Sequence, residues 1–93
     1  MRKYEAACVF KVADDEYTAG REAVKKALSD LGAQIANEID MNQRTLAYPV
    51  QDETQGHYYI YEVDMEPEAA FQAEHAVRLI EPLIRFMMIR KEE

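Results

Sequence analysis

The sequence predicts an α+β sandwich of βαββαβ order: a four-stranded antiparallel sheet, strand order 4-1-3-2, with two helices on one face. Three observations predict it. Four apolar, strand-like segments alternate with two segments of helical period in that order. The chain has 93 residues without linker, repeat or low-complexity stretch, so residues 1–93 are expected to form one domain with one modest core. The third strand also divides into an apolar set and a set that turns acidic, as a sheet covered on one face requires.

The first strand is expected from Tyr4 to Val12, where Ala6, Cys8 and Phe10 alternate with Ala7 and Val9. Asp14-Asp15-Glu16 then supplies a helix N-cap and acids for the positive end of the helix dipole. Tyr17, Val24, Ala27, Leu28 and Leu31 recur at helical spacing and leave Glu22, Lys25, Lys26 and Asp30 in water. Gly20 lies inside this helix at a cost of about 1 kcal/mol relative to Ala, and Gly32 is the left-handed stop.

Residues 33–50 form the second strand region. Ile35, Ile39 and Met41 occupy odd positions, whereas Leu46, Tyr48 and Val50 occupy even ones. A strand cannot change face without an irregularity, so a bulge is expected at Asn42-Gln43-Arg44. Pro49 lacks a donor and marks an edge or a strand end. Residues 51–56 are expected to be the connecting loop, and the third strand to run from His57 to Met65. There Tyr59, Tyr61, Val63 and Met65 are assigned to the core, and Tyr58, Ile60, Glu62 and Asp64 to the open face.

Glu66-Pro67-Glu68 opens the second helix, with Pro in the first turn. Ala70, Ala73, Val77 and Ile80 form its buried stripe, and Phe71 widens it. Pro82 forbids continuation. Leu83 to Ile89 is the fourth strand, with Met87 and Ile89 expected toward the helices and Phe86 and Met88 on the open face. Antiparallel pairing of the first and fourth strands brings Arg2 and Lys3 to Arg90 and Lys91. Leu46 and Tyr48 join Tyr58, Ile60 and Phe86 in an exposed apolar patch of the kind that marks an interface.

The net charge of −7 argues against nonspecific nucleic-acid binding, yet basic residues gathered at the two chain ends would make a local positive patch. A single cysteine, Cys8, permits neither an internal disulfide nor a thiolate zinc site. The apolar runs are too short to span a bilayer, and the N-terminus leads into no signal-like stretch, so a cytoplasmic location is expected.

The side-chain inventory supports no enzyme. Three scattered glycines make no phosphate loop. His57 and His75 stand apart in sequence, and no Ser or Thr sits with a His in a nucleophile-like setting. Small hydrolases of this topology need an anion cradle after the first strand, where this chain has Lys11-Val12-Ala13-Asp14-Asp15. Metal chaperones need a Cys-x-x-Cys pair. No catalytic residue, metal site, cofactor or small-molecule substrate is expected.

Met1-Arg2-Lys3-Tyr4-Glu5, Leu31-Gly32-Ala33, Arg44-Thr45-Leu46-Ala47-Tyr48-Pro49-Val50, Gln55-Gly56-His57-Tyr58 and Ile89-Arg90-Lys91 together resemble the bacterial small-subunit ribosomal protein S6 family. The resemblance spans essentially the whole chain, and its Leu-Ala-Tyr-Pro element followed by Gln-Gly and an aromatic strand is its most specific part. It implies a ferredoxin-like fold and a structural role. The implied partners are the central domain of small-subunit ribosomal RNA and ribosomal protein S18 as heterodimer partner. The matching RNA-binding positions are Arg2, Lys3, Tyr4, Arg85, Arg90 and Lys91. The matching partner-binding positions are Arg44, Leu46, Tyr48, Pro49, Tyr58, Ile60 and Phe86. Leu79, Leu83 and Phe86 depart from the family pattern, being apolar where basic residues are expected; a basic S18 docking on the acidic surface would compensate. The alternative is a ligand-binding or regulatory module of the same fold that dimerises through its sheet.

Overall fold

The computed structural model describes residues 1–50 and 52–91; Gln51, in the expected connecting loop, and Glu92 and Glu93 lie outside the described residues. The elements follow in the expected order: β1 (Arg2–Phe10), α1 (Asp14–Asp30), β2 (Gln34–Val50), β3 (Glu53–Met65), α2 (Pro67–Val77) and β4 (Leu83–Arg90). The sheet order is β2-β3-β1-β4, the anticipated 4-1-3-2 read from the other edge. Every neighbouring pair is antiparallel.

Both helices cover one face. Ala6, Cys8 and Phe10 of β1 alternate inward and meet Tyr59, Tyr61, Val63 and Met65 of β3 across the ladder. Val24 and Leu28 of α1 and Ala70, Ala73 and Val77 of α2 close over them. Burying side chains of that size stabilises by roughly 1.5–3 kcal/mol each for the larger ones. Tyr61 is fully buried, and its hydroxyl donates to the Arg21 carbonyl at 2.6 Å, which satisfies that polar atom at the edge of the core.

α1 is preceded by Ala13, which makes no side-chain cap. Asp14, Asp15 and Glu16 occupy the first turn instead, so they complement the dipole without capping, contrary to the expected N-cap. At the other end Gly32, at φ 88°, donates to the Ser29 carbonyl and Ala33 to the Leu28 carbonyl, a Schellman closure.

Irregularities in the strands redistribute their faces. The ladder of β2 on β3 slips between Asp40 and Gln43, inside the expected bulge region, with Asn42 at φ 65°. Asn is among the few residues that tolerate that conformation, and its N–H donates to Asp40 Oδ1 at 2.8 Å. A second slip, between Ile35 and Asn37, was not anticipated. It places Ile35 opposite Val63 on the core side but Ile39 opposite Ile60 on the helix-free side, so these two do not share a face. Most of the anticipated 51–56 loop is strand, because pairing resumes at Val50 and Glu53 and continues through Gln55 and Gly56.

The assignment of faces on β4 is reversed. Phe86 lies opposite Cys8 and Met88 opposite Ala6, and both pack on the core. Met87 and Ile89, opposite Ala7 and Glu5, are 61% and 43% exposed. The physical reason is a bulge: Phe10 pairs with Leu83 and Val9 with Arg85, leaving Ile84 as an extra residue. Leu83 and Phe86 can then both face the helices despite their odd spacing. Phe71, placed with the buried stripe of α2, is 87% exposed.

Candidate binding surface

The helix-free face is built by the outward alternation of three strands. Ala7 and Val9 of β1 lie between Ile60 and Tyr58 of β3 on one side and Met87 and Arg85 of β4 on the other. Ile39 extends this row on β2. Small Ala7 makes the middle low, and larger neighbours stand on both sides. The result is a shallow groove of about 530 Å³, floored by Ala7, Val9 and Ile60 and bordered by Met41, Arg44, Tyr58, Arg85 and Met87.

Its upper end is aromatic and cationic. The Arg44 guanidinium lies 5.9 Å from the Tyr58 ring centroid, and that of Arg85 lies 5.8 Å from Tyr48. Each cation holds a ring in place without burying it; Tyr48 remains 58% exposed. Gly56 is required here. A Cβ on it would stand 2.4 Å from Val9 Cγ1 and 3.3 Å from Leu46 Cδ2, so only glycine lets those side chains converge.

The expected basic cluster at the chain ends is present but divided. The Lys91 N–H donates to the Lys3 carbonyl at 2.9 Å, which fixes the termini side by side. Register then sends Lys3 and Lys91 to the helix-free side, and Arg2 and Arg90, in line with Tyr4, to the helix side. The Lys91 ammonium is 2.8 Å from Glu62, whose carboxyl also accepts from Asn37. The bond from Lys91 and then that from Asn37 hold the Glu62 pKa below its usual value. Tyr4 is in the core, 8% exposed, because it shares the parity of Ala6 and Cys8; its ring is not a surface ring. Phe86 likewise leaves the exposed patch. Arg85, five residues along β4 from Arg90, is roughly 17 Å from the chain ends by strand rise and belongs to the groove.

A network that the sequence reading missed lies on the helix side of β2. His57 stacks on Tyr17 with centroids 3.7 Å apart, and its Nε2 is 2.6 Å from Asp40 Oδ1. Arg21 stands over the Tyr17 and Tyr59 rings. Tyr59 and Lys25 both donate to Glu38 at 2.9 Å. The Lys25 hydrogen bond pulls the Glu38 pKa down, against some desolvation. The Asn42 N–H and then His57 pull Asp40 down. Burial, followed by the bond to Glu38, pushes Tyr59 up to about 12. The signal was long-range: residues 17 and 57 meet only once α1 lies on the sheet. The network clamps α1 to the β2 edge. No cluster of metal-ligating groups occurs among the described residues. Among those residues no helix is long and apolar enough to cross a membrane.

Comparison with known proteins gives a consistent result. Residues 3–90 match the family described as Ribosomal protein S6. The chain is similar to small ribosomal subunit protein bS6 of Treponema denticola, with 31% identity over 93 residues and full coverage of both chains. It is 36% identical over 91 residues to the bS6 protein of Borrelia turicatae, covering 98% of this chain and 68% of that one. The crystal structure of 30S ribosomal protein S6 from Thermotoga maritima superposes with a TM-score of 0.86 at 22% identity, covering 97% of this chain and 87% of that one.

Proposed function

Because the chain belongs to the ribosomal protein S6 family, and is thus a non-enzymatic protein of the small ribosomal subunit, we propose that it acts there by binding the central domain of small-subunit ribosomal RNA together with ribosomal protein S18. Its place of action is the cytoplasmic ribosome. The observation that carries this reading is the helix-free face, with its apolar groove between the Arg44–Tyr58 and Arg85–Tyr48 pairs. An apolar surface of that kind, left uncovered in a chain of net charge −7, suits a basic protein partner.

Arg44, Leu46, Tyr48, Pro49, Tyr58 and Ile60 meet S18, joined by Arg85. Arg2, Lys3, Arg90 and Lys91 contact phosphates at the chain ends and set position on the RNA rather than reading sequence. Tyr4 supports them from inside the core.

The test is a binding titration with central-domain RNA, with and without S18, at low and high salt. Cooperative binding that weakens with salt is expected, with Arg2→Ala lowering the salt slope by about 1. RNA binding that never develops, even with S18 present, would refute the reading.

A further inference from the structure

We propose that the outer edge of β4 accepts an extended segment of a partner protein as a fifth strand, seated against α2, apolar at its centre and acidic at its ends. This goes beyond the S18 and RNA reading and uses the outer edge of β4, which shares Arg85 with the S18 surface.

The first argument is hydrogen bonding. In an antiparallel ladder, directly opposed residues alternate between bonded and unbonded pairs. The bond from Lys91 to the Lys3 carbonyl fixes that phase: Ile89, Met87 and Arg85 bond inward to β1. Arg90, Met88 and Phe86 therefore turn their N–H and C=O groups outward, and no neighbouring strand pairs with them among the described residues. An added strand finds a template with a repeat of about 6.6 Å.

The second argument is the contrast between the two edges. Natural edge strands are guarded by bulges, prolines and charges. β2 carries three register shifts, Pro49, Glu38 and Asp40. β4 carries Phe86-Met87-Met88-Ile89 without a guard, and its bulge at Ile84 lies outside that run.

The third argument is the wall beside the edge. A groove of about 560 Å³ runs between α2 and β4, lined by Ala70, Phe71, Phe86, Met88 and Arg90. It continues past Glu74 to Arg78 and Arg85. Phe71, 87% exposed, stands over it with nothing to pack against. Adding a strand beside a helix, with pockets for alternate side chains, is an established mode of peptide capture.

Charge decides the occupant. Arg90 closes one end of the groove, Arg78 and Arg85 the other, and Glu74 lies between. An extended peptide with carboxylates at both ends and none at its centre is complementary. A second copy of this chain offers basic residues and not carboxylates at those ends, since its own β4 carries Arg85 and Arg90. In the register centred on Met88, Arg85 of each copy would also stand opposite Lys91 of the other, and like charges directly opposed are destabilising. RNA has no alternating backbone donors and acceptors to match the edge.

The test uses the full chain and a synthetic peptide of about ten residues, alternating valine and threonine between terminal glutamates. Amide NMR shifts should move at residues 86, 88 and 90, with protection from exchange. A lysine-ended version of the peptide, or one with a central glutamate, should bind about tenfold weaker. Phe71→Ala, which removes no core contact, should weaken binding about fivefold with an unchanged melting temperature. Met88→Pro should abolish it by deleting an outward donor while the inward bonds of Met87 and Ile89 remain. Each of these results would overturn the proposal: amides 86, 88 and 90 silent at millimolar peptide, the lysine-ended peptide binding equally well, or an RNA oligonucleotide moving those amides where the peptide does not. Phe71→Ala without effect on affinity would also do so.

Discussion

Substituting Gly20 by alanine tests how tightly α1 is seated. In an isolated helix the change is favourable, by about 0.8–1.0 kcal/mol. Here the new Cβ would stand 2.8 Å from Phe10 Cδ1, 3.1 Å from Phe10 Cε1 and 2.9 Å from Pro82 Cβ. Carbon atoms prefer about 3.5–4.0 Å, so three contacts are too short at once. Neither neighbour can retreat cheaply. Phe10 is fully buried and edge-on to Tyr17 at 5.8 Å. Pro82 is held by the bond from the Lys11 N–H to its carbonyl, at 2.9 Å. Overpacking of this kind costs about 1–3 kcal/mol. Set against the gain in helix propensity, Gly20→Ala should destabilise by about 1 kcal/mol. That lowers the melting temperature by about 4–8 °C for a domain of this size. Urea denaturation is the assay, with an unchanged m-value as the sign that only stability moved. In a Phe10→Leu background the penalty should shrink, because the clashing ring is gone. A midpoint equal to or above that of the parent chain would show that propensity outweighs packing, and the reasoning fails.

Other outcomes follow from the same structure. Tyr48→Ala should weaken S18 binding while leaving stability within about 0.5 kcal/mol, since an exposed ring contributes little to the core; equal losses in both would mean that the ring is structural. Cys8, whose pKa burial pushes up to about 12, should resist a thiol reagent at pH 8 in the native state and react once urea unfolds the chain. Glu38 and Asp40 have pKa values below their ordinary ones, so their contribution is present above the usual carboxylate range and lost as pH falls through their depressed values. Acid titration of stability should show that loss, and Lys25→Met should raise the Glu38 pKa seen by NMR; an unmoved value would dissociate Lys25 from it.

How much of this was legible in the sequence depended on whether a segment carried its own contrast. β3 did: Tyr59, Tyr61, Val63 and Met65 alternate with a set ending in Glu62 and Asp64, and all four are buried. β4 did not. Leu-Ile-Arg-Phe-Met-Met-Ile-Arg is apolar on both sides, so nothing local distinguished its faces or announced the bulge at Ile84. The slip at residues 40–43 was legible because the apolar positions change parity between Met41 and Leu46, and Asn42 suits the left-handed conformation found there, whereas the slip at Ala36 leaves no such change of parity. Tyr4 could have been placed in the core from its parity with Ala6 and Cys8. The groove was half visible: Arg44, Tyr48, Tyr58 and Ile60 were named, but Arg85 was grouped with the chain ends. Its distance from them follows only from strand rise and register. The His57–Asp40–Tyr17 stack required the tertiary approach of α1 and left no trace at short range.

The central position of β1 also governs when the sheet can close. Its inner neighbour, β3, and its outer neighbour, β4, are both specified far downstream, and β4 is the last of the six elements among the described residues. During synthesis the first strand therefore emerges with neither of its hydrogen-bonding partners yet made, and Phe10 has no cover. Such a topology, dominated by distant pairings, folds slowly for its size. A nascent chain stopped before Leu83 would expose Ala6, Cys8 and Phe10 along an unpaired flank, a sticky species at the moment of translation. Closure of the sheet thus waits for β4, and the bond that joins Lys91 to Lys3 forms only after it.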